Sequence, residues 1–394
     1  MRAKSIIFTS VLIGYVGLGI LNPLVAPLIR ELGLSETDAG WIVAASSFMV
    51  LLTSAFWGSW SDRIGRKPVL LIGLTGMAAS FGMFVAVTEQ GLTGKFQPAV
   101  LFTLLLISRL LLGAAFPAIL SSSQAYMADI TTEKDRAAGM SLIGAANGLG
   151  LVVGPAVGAL LTALSLLAPI YLAVVLPLLV MLWVAFGMAN SKPQTHGQQK
   201  KMLRKGILPY LAVAMIVMMA LIQTQVTAGF YFQDKLGLSA TETAQAVGAA
   251  LFCIGFMMAL VQFTVVRKNR LTPLKLLQLG VPVFAVGLVL LVSFSHIAPF
   301  FAAFALMGIG VGLAIPGFTS GASLAVAKHE QGAAAGMIAA AIGIGSLLGP
   351  LTGTFLYRIS PETPFWLLIL LLALLTGYVW GSRGIRGDQQ TVVD

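Results

Sequence analysis

The sequence predicts an all-α integral membrane protein in which twelve transmembrane helices form two six-helix, pseudo-symmetric bundles. Three observations support this fold class: the composition, the number of long apolar segments, and an internal repeat. Hydrophobic residues make up 58% of the 394 residues and charged residues only 10%, with a mean hydropathy of +0.93. Soluble domains are about 25% charged, so this chain lacks the polar surface that folding in water requires.

Twelve segments are long and apolar enough to cross a bilayer, because a spanning helix needs about 20 apolar residues. The first segment follows a short basic N-terminus and is longer than the apolar region of a cleavable signal. We therefore interpret it as a transmembrane helix. The predicted segments are 6–29, 40–60, 69–88, 99–124, 137–162, 166–188, 207–232, 243–265, 273–294, 299–325, 334–357 and 364–381.

The basic residues predict the orientation of these helices. Of the 24 lysines and arginines, 19 flank the segments on the side of the N-terminus, four lie on the opposite side, and one lies inside a segment. Such an excess marks the cytoplasmic side, so both termini are expected in the cytoplasm. Because the net charge of +10 comes from these flanking residues, we expect no nucleic-acid partner.

An internal repeat predicts the domain organisation. A polar stretch, 190–206, separates residues 1–189 from 207–394, and we interpret it as a cytoplasmic linker between two six-helix bundles. A Gly-x-x-x-Gly-Pro-x-x-Gly motif occurs in both halves at an offset of 195 residues. Parallel repeats of this kind predict a substrate site near the middle of the membrane, between the halves. The repeated positions are Gly150, Gly154, Pro155 and Gly158, then Gly345, Gly349, Pro350 and Gly353, with Gly113 and Gly308 at the same offset.

The sequence offers no residues for catalysis or for a cofactor. The single cysteine, Cys253, excludes an intramolecular disulfide and a cysteine-based metal site. We find no nucleophile–base arrangement, no metal-ligand spacing and no phosphate-binding loop. We therefore expect a transporter rather than an enzyme, with no cofactor, no metal and no ATP-driven step.

The loop between the second and third segments carries the most specific motif, GSWSDRIGRK, from Gly58 to Lys67. This spacing resembles the signature loop of the major facilitator superfamily of transporters. Together with the motif GLGILNPLVAP at 17–27, it resembles the twelve-helix drug:proton antiporter branch, which includes the quinolone and multidrug efflux transporters. The resemblance covers nearly the full length of the chain.

Arg109 lies well inside the fourth segment, where a charged side chain is costly and by default marks a functional site. The alternative is an arginine that snorkels to the nearer helix end. Arg109 and Gly113 form an R-x-x-x-G pattern that resembles the fourth-helix motif of the family. The resemblance implies a role for this arginine in substrate binding or in proton coupling.

The Gly-Pro motif on the fifth segment predicts close helix packing, because small residues four apart let two helices approach. It also resembles the motif associated with the exporters of the family. This resemblance favours export over uptake.

A group of charges at the cytoplasmic side predicts a two-state latch. The resemblance places Asp62, Arg66 and Asp129 in one charge network, and Arg136 follows in the next loop. Protonation of a carboxylate would remove its attraction and shift the conformational equilibrium. The alternative is a plain interfacial salt bridge. We assign Arg109 and these four residues to coupling and gating, together with the motif residues Gly58, Gly65, Gly150, Gly154, Pro155 and Gly158.

The cores of the predicted helices contain no Asp or Glu. Related antiporters often carry carboxylates in helices 7 and 10, where this chain has Gln225 and Gly312. A buried carboxylate would supply a proton carrier and a partner for cationic drugs. Its absence leads to two hypotheses: the substrate is neutral, zwitterionic or anionic, and proton coupling uses Asp129, Asp62 or the substrate itself.

Polar side chains inside the apolar segments are candidates for substrate binding, although each could equally form an interhelical hydrogen bond. Phenylalanines and methionines, among them Phe230 and Phe232, could form an adaptable apolar wall or simply pack. The candidate substrate-binding residues are Asn22, Arg109, Gln124, Asn147, Gln223, Gln225 and Tyr231.

These observations predict a secondary active transporter in a bacterial inner membrane. It would export small amphipathic, drug-like molecules by alternating access, with proton influx as the driving reaction. The alternative is a dedicated exporter of one metabolite, such as a sugar, a siderophore or an amino-acid derivative. The expected partners are the substrate, protons and the lipid bilayer, and we expect a monomer.

Overall fold

A computed structural model describes residues 2–132, 135–189, 205–266, 271–327 and 330–381, and these residues are helical apart from short connections. Twelve helices in this part of the chain are long and apolar enough to span a membrane, and each overlaps one predicted segment. They are α1 (Ala3–Glu31), α2 (Glu36–Ile64), α3 (Arg66–Leu92), α4 (Pro98–Asp129), α5 (Ala138–Leu161), α6 (Ala168–Gly187), α7 (Leu208–Leu236), α8 (Ala240–Val266), α9 (Pro273–Ser293), α10 (Ile297–Leu324), α11 (Gln331–Tyr357) and α12 (Thr363–Gly381).

Helix α1 has an interruption that the sequence pattern did not predict. A short 3-10 turn, Asn22–Leu24, separates two α-helical stretches that were expected to be continuous. Pro23 has no N–H to donate to the carbonyl of Gly19, so the regular hydrogen-bond ladder cannot continue there. The turn packs next to α5, where a Cβ added to Gly19 would lie 2.8 Å from the ring of Pro155.

The contacts divide the chain into two compact units. The first unit comprises Met1–Gly197 together with Leu238–Ala249, and the second comprises Gln198–Gly237 together with Ala250–Asp394. The start of α8 therefore groups with the first six helices. Of the predicted linker, residues 190–204 lie outside the described residues, and the division at 190–206 stays a prediction.

Within the first unit, α4 packs against both α2 and α3. Helix α1 packs against α5 and α6, and α3 packs against α6. Glycines allow the closest of these approaches. A Cβ added to Gly113 of α4 would lie 2.2 Å from the carbonyl oxygen of Ser46 in α2. A Cβ on Gly154 of α5 would lie 2.8 Å from the carbonyl oxygen of Val16 in α1.

The second unit uses the same pairs of helices, each six positions later in the chain. Helix α10 packs against α9, α7 packs against α11 and α12, and α9 packs against α12. The repeated glycines again lie at the close contacts. A Cβ on Gly308 of α10 would lie 2.5 Å from the carbonyl oxygen of Ile254 in α8. A Cβ on Gly349 of α11 would lie 2.7 Å from the carbonyl oxygen of Met219 in α7. The sequence repeat is therefore also a repeat of packing.

Candidate transport site

Arg109 is a buried cation in the interior of α4. It lies eleven residues after the helix begins at Pro98, which is about 16 Å along the axis at 1.5 Å per residue. The residue is only 6% exposed, because neighbouring helices cover it. This burial favours a position inside the first unit over a side chain that snorkels to the helix end.

Two aromatic rings of α3 surround the Arg109 guanidinium. Its central carbon lies 4.4 Å from the ring centroid of Phe84 and 5.9 Å from that of Phe81. Cation–π contacts at these distances stabilise a desolvated guanidinium by roughly 1–2 kcal/mol. The Nε and Nη2 atoms are buried and have no hydrogen-bond partner. The aromatic contacts therefore offset only part of the cost of burying the charge.

Acidic side chains are absent from the interiors of all twelve described helices. Each carboxylate in the described part of the chain lies within three residues of a helix end or in a connection. These residues are Glu31, Glu36, Asp38, Asp62, Glu89, Asp129, Asp135, Asp234, Glu242, Glu330 and Glu362.

Side chains from α2 and α3 fix the backbone of α4 around Arg109. The hydroxyl of Ser46 donates to the carbonyl oxygen of Arg109 at 3.1 Å, and Ser80 donates to that of Ser108 at 2.7 Å. Such hydroxyl-to-carbonyl bonds between helices satisfy polar groups that have no water to bond with in an apolar medium. These bonds fix the position of α4 along its axis, and its rotation about that axis, relative to α2 and α3 at the level of Arg109.

About two turns further along α4, Pro117 cannot donate a hydrogen bond to the carbonyl of Gly113. The hydroxyl of Thr53 lies 3.5 Å from that carbonyl oxygen, and the indole N–H of Trp57 donates to Ala114 at 2.5 Å. None of these α2 and α3 side chains was predicted from the sequence. Short hydroxyl side chains in an apolar helix carry no sequence signal for such contacts, whereas the indole N–H of Trp57 needs an acceptor when buried and could have indicated one.

At the ends of α2 and α4, Arg66 joins two carboxylates. Its Nε donates to Asp129 at 3.1 Å, while its Nη1 donates to Asp62 and also to the hydroxyl of Ser61 at 3.2 Å. The Arg66 side chain is only 3% exposed, against 32% for Asp62 and 14% for Asp129. The structure thus brings together three of the four residues of the expected charge network.

A cavity of about 400 Å³ opens beside this network, and Arg136 lines it together with Asp62, Arg66 and Asp129. The remaining wall is formed by Ala125, Ala128 and Thr131. The two carboxylates are thus on the wall of a space large enough for several water molecules. Protons can reach them from this side.

The rest of the motif loop shapes the turn between α2 and α3. Gly65 has φ +96°, a conformation that side chains disfavour, and Lys67 donates to the carbonyl oxygen of Ala185 in the last turn of α6 at 2.8 Å. Gly58 is different, because a Cβ there would meet nothing within 4 Å. The structure gives no packing reason for glycine at that position.

The α5 motif has two kinds of glycine. Gly150, Gly154 and Gly158 pack against α1, where added Cβ atoms would lie 2.6 to 2.8 Å from the nearest atoms. A Cβ added to Gly148 would meet no other helix within 4 Å, and neighbouring Asn147 is half-buried with its side-chain oxygen unpaired. This motif is therefore a packing surface on one side of the helix.

Two of the predicted substrate-binding residues lie inside the second unit. The amide of Gln223 donates to the carbonyl oxygen of Pro364 at 2.8 Å and accepts from the hydroxyl of Thr352 at 3.0 Å. This arrangement matches the alternative role, an interhelical hydrogen bond. Tyr231 is fully buried, with its ring centroid 4.9 Å from that of Phe365.

The other amide candidates are more accessible. Gln124 is exposed, while Asn22 and Gln225 are half-buried. Phe230 and Phe232, which could form an apolar wall or simply pack, are fully buried. The ring of Phe230 contacts Tyr357 and that of Phe232 contacts Phe300, so both pack within the unit.

Three features of the described residues together define a multi-pass membrane transporter. They are twelve membrane-length helices, a helix packing that repeats, and helix interiors that contain a buried arginine but no acidic residue. The family model of the Major Facilitator Superfamily matches residues 7–281 and 269–387. The chain belongs to this superfamily.

Several characterised relatives are similar over more than nine-tenths of both chains. Multidrug resistance protein 1 of Bacillus subtilis (strain 168) is 27% identical and aligns over 94% of this chain and 93% of its own length. Tetracycline resistance protein, class C, of Escherichia coli is 29% identical over 92% and 91%. Quinolone resistance protein NorA of Staphylococcus aureus (strain MSSA476) is 24% identical over 92% of each chain.

Solved structures support the same fold. A point mutant of the nucleoside transporter NupG aligns with a TM-score of 0.75 at 12% identity, covering 96% of this chain and 99% of its own. The human organic anion transporter MFSD10 (TETRAN) aligns with a TM-score of 0.67 at 18% identity over the same shares. At these identities the likeness concerns the fold.

Proposed function

We propose that this transporter exports small amphipathic molecules from the cytoplasm by alternating access, coupled to proton influx. It would act in a bacterial cytoplasmic membrane, as a monomer, with both termini inside the cell. The names of the relatives support this proposal, because they concern resistance to multiple drugs, to tetracycline and to quinolones. The glycine motif of α5, which resembles that of exporters, supports the same direction of transport.

The observation that carries the coupling mechanism is the buried Arg66 bridge. Its two carboxylate partners come from different helices, α2 and α4, and both line a cavity. A proton on Asp129 or Asp62 removes one charge-assisted hydrogen bond, each worth about 1.5–3 kcal/mol. That energy is enough to shift a two-state equilibrium by a factor of ten or more. Arg136 lies on the same cavity wall, and its positive charge would favour the ionised forms of Asp62 and Asp129.

In this proposal the residues that contact the substrate are Arg109 and the half-buried or exposed amides Asn22, Gln124 and Asn147 in the first unit, and Gln225 in the second. Amides can donate and accept, which suits a site that holds varied amphipathic molecules. Gln223 and Tyr231 were assigned to the same site from the sequence. In this proposal their part is to hold α7 against α11 and α12.

Growth of a strain without its own drug exporters provides the test. Overexpression should raise resistance to several unrelated compounds, such as chloramphenicol, norfloxacin and tetracycline, and an uncoupler should abolish the accumulation difference. Resistance to a single compound would favour the dedicated exporter. An unchanged resistance profile and equal accumulation of all probes would contradict drug export.

A further inference from the structure

The Arg109 guanidinium presents a complete carboxylate-binding edge that the protein leaves unused. Its Nε–H and the adjacent Nη2–H point in the same direction, and this pair can bind both oxygens of one carboxylate. Both nitrogens are buried and lack a hydrogen-bond partner. The contacts with Phe84 and Phe81 involve the ring faces and occupy no N–H group.

No side chain of the described helices supplies the missing negative charge. The nearest carboxylate along α4 is Asp129, twenty residues further on, which is about 30 Å along the axis. Asp129 is in any case bonded to Arg66. A buried cation without a partner costs several kcal/mol, whether the medium is protein or lipid. A ligand that brings a carboxylate would recover much of this cost.

We propose that Arg109 binds the carboxylate of the transported molecule, so the substrates are amphipathic acids or zwitterions. This inference rests on the proposed export function and specifies its substrate class. The Nε–Nη2 edge takes the two carboxylate oxygens, and the rings of Phe81 and Phe84 contact the apolar part of the molecule. The hydroxyls of Ser46 and Ser80 hold the α4 backbone so that the edge keeps its direction.

The same arrangement discriminates against molecules of other charge. An organic cation would meet a like charge in a medium of low dielectric, with no carboxylate in the interiors of the described helices to offset the repulsion. A neutral amide can accept from one N–H, but it forms no ion pair. Acids are therefore preferred over neutral analogues of equal size, and neutral analogues are preferred over cations.

Three probes that share one fluorophore test the inference with purified transporter in proteoliposomes. N-dansylglycine carries a carboxylate, its methylamide is neutral, and N-dansylethylenediamine is a cation. Uptake into vesicles with an acidic lumen gives kcat/KM for each probe. For the wild-type protein we expect the order acid, amide, cation.

Arg109→Gln should lower kcat/KM for the acid about 10- to 100-fold, as expected for the loss of charge-assisted hydrogen bonds. The kcat/KM for the methylamide should change less than about threefold. Retained transport of the methylamide then shows that the variant protein is folded. Arg109→Lys keeps the charge but not the two-pronged edge, and should give an intermediate value. Arg358→Gln, which removes an exposed arginine, is the control and should leave all three values unchanged.

The outcomes separate this inference from export itself. If the wild type transports the cation or the amide as well as the acid, and Arg109→Gln lowers all three equally, carboxylate binding is wrong while export stands. If the wild type transports none of the probes and confers no resistance, both proposals fail. Loss of the acid preference in Arg109→Gln, with amide transport retained, supports the inference.

Discussion

Arg66 and Arg109 are both buried cations, but their surroundings differ. Arg66 bonds to Asp62 and Asp129, whereas the Nε and Nη2 of Arg109 have no partner and the guanidinium lies against two aromatic rings. The first arrangement stores energy in an ion pair that a proton can break. The second holds a charge ready for an external partner. We therefore propose that Arg66 and its carboxylates serve coupling and that Arg109 serves substrate recognition.

Asp129→Asn tests the coupling role at a single residue. The change removes the negative charge that Arg66 Nε bonds, so transport should become about tenfold less dependent on an imposed pH gradient. Substrate-stimulated proton flux in proteoliposomes measures this dependence.

Asp135→Asn is the matched control, because Asp135 is exposed and accepts a local hydrogen bond from the hydroxyl of Thr132 at 3.0 Å. It should keep full coupling. Equal proton flux in both variants and the wild type would show that Asp129 carries no proton in the cycle.

Arg66→Lys tests the bridge from the side of the cation. A lysine has one nitrogen and cannot reach both carboxylates with the geometry of Nε and Nη1. We expect at least about a tenfold loss of transport, with protein levels in the membrane preserved. Arg63→Lys changes an exposed arginine in the same loop and should have no effect. Wild-type transport by Arg66→Lys would mean that positive charge alone suffices there.

The glycines of α5 and α11 determine how closely neighbouring helices approach. Gly154→Ala would place a methyl group 2.8 Å from the Val16 carbonyl oxygen, so it should destabilise the protein by about 1–3 kcal/mol. Gly148→Ala, on the same helix, adds a methyl group where nothing lies within 4 Å. It should be neutral. Thermal unfolding in detergent distinguishes the two, and equal midpoints would refute this account of the α1–α5 contact.

Gln223→Leu tests whether the amide connects helices or binds substrate. The substitution removes two interhelical hydrogen bonds, to Pro364 and Thr352, so it should lower the free energy of unfolding by about 1 kcal/mol. The order of transport rates among substrates should not change, and Gln124→Leu, at an exposed position, should leave stability as it is. A changed substrate order with unchanged stability would return Gln223 to the binding site.

Much of the element scale was predictable from the sequence. Apolar segments of about 20 residues determine twelve helices, and each is confirmed. The 3-10 turn at Asn22–Leu24 was not predicted, because a proline in a transmembrane segment can either continue a kinked helix or interrupt it. Neighbouring helices decide between these outcomes.

The site was predictable in part, for physical reasons that differ among its residues. A charge inside an apolar segment is visible in the sequence, so Arg109 could be found. The pairing of Arg66 with Asp62 and Asp129 required the family resemblance. The serines that fix α4 could not be predicted, since short hydroxyl side chains in transmembrane helices bond as readily to their own helix as to a neighbour.

At the scale of the whole molecule, the two units repeat the same helix pairs but not the same charges. The motif loop and Arg109 belong to the first unit, and the corresponding loop of the second, at 267–270, lies outside the described residues. Fold symmetry combined with this difference in charge is suited to a carrier in which the first unit holds the coupling residues. We therefore expect the energy of the proton gradient to act through the first unit.

The most direct test of proton-driven export is concentrative uptake of norfloxacin into proteoliposomes with an acidic lumen and the cytoplasmic face outward. The lumen then corresponds to the outside of the cell, so protons leave as substrate enters. We predict that norfloxacin accumulates above its external concentration and that this accumulation is lost when the pH gradient is dissipated. Uptake that only equalises the two concentrations, whatever the pH gradient, would contradict it.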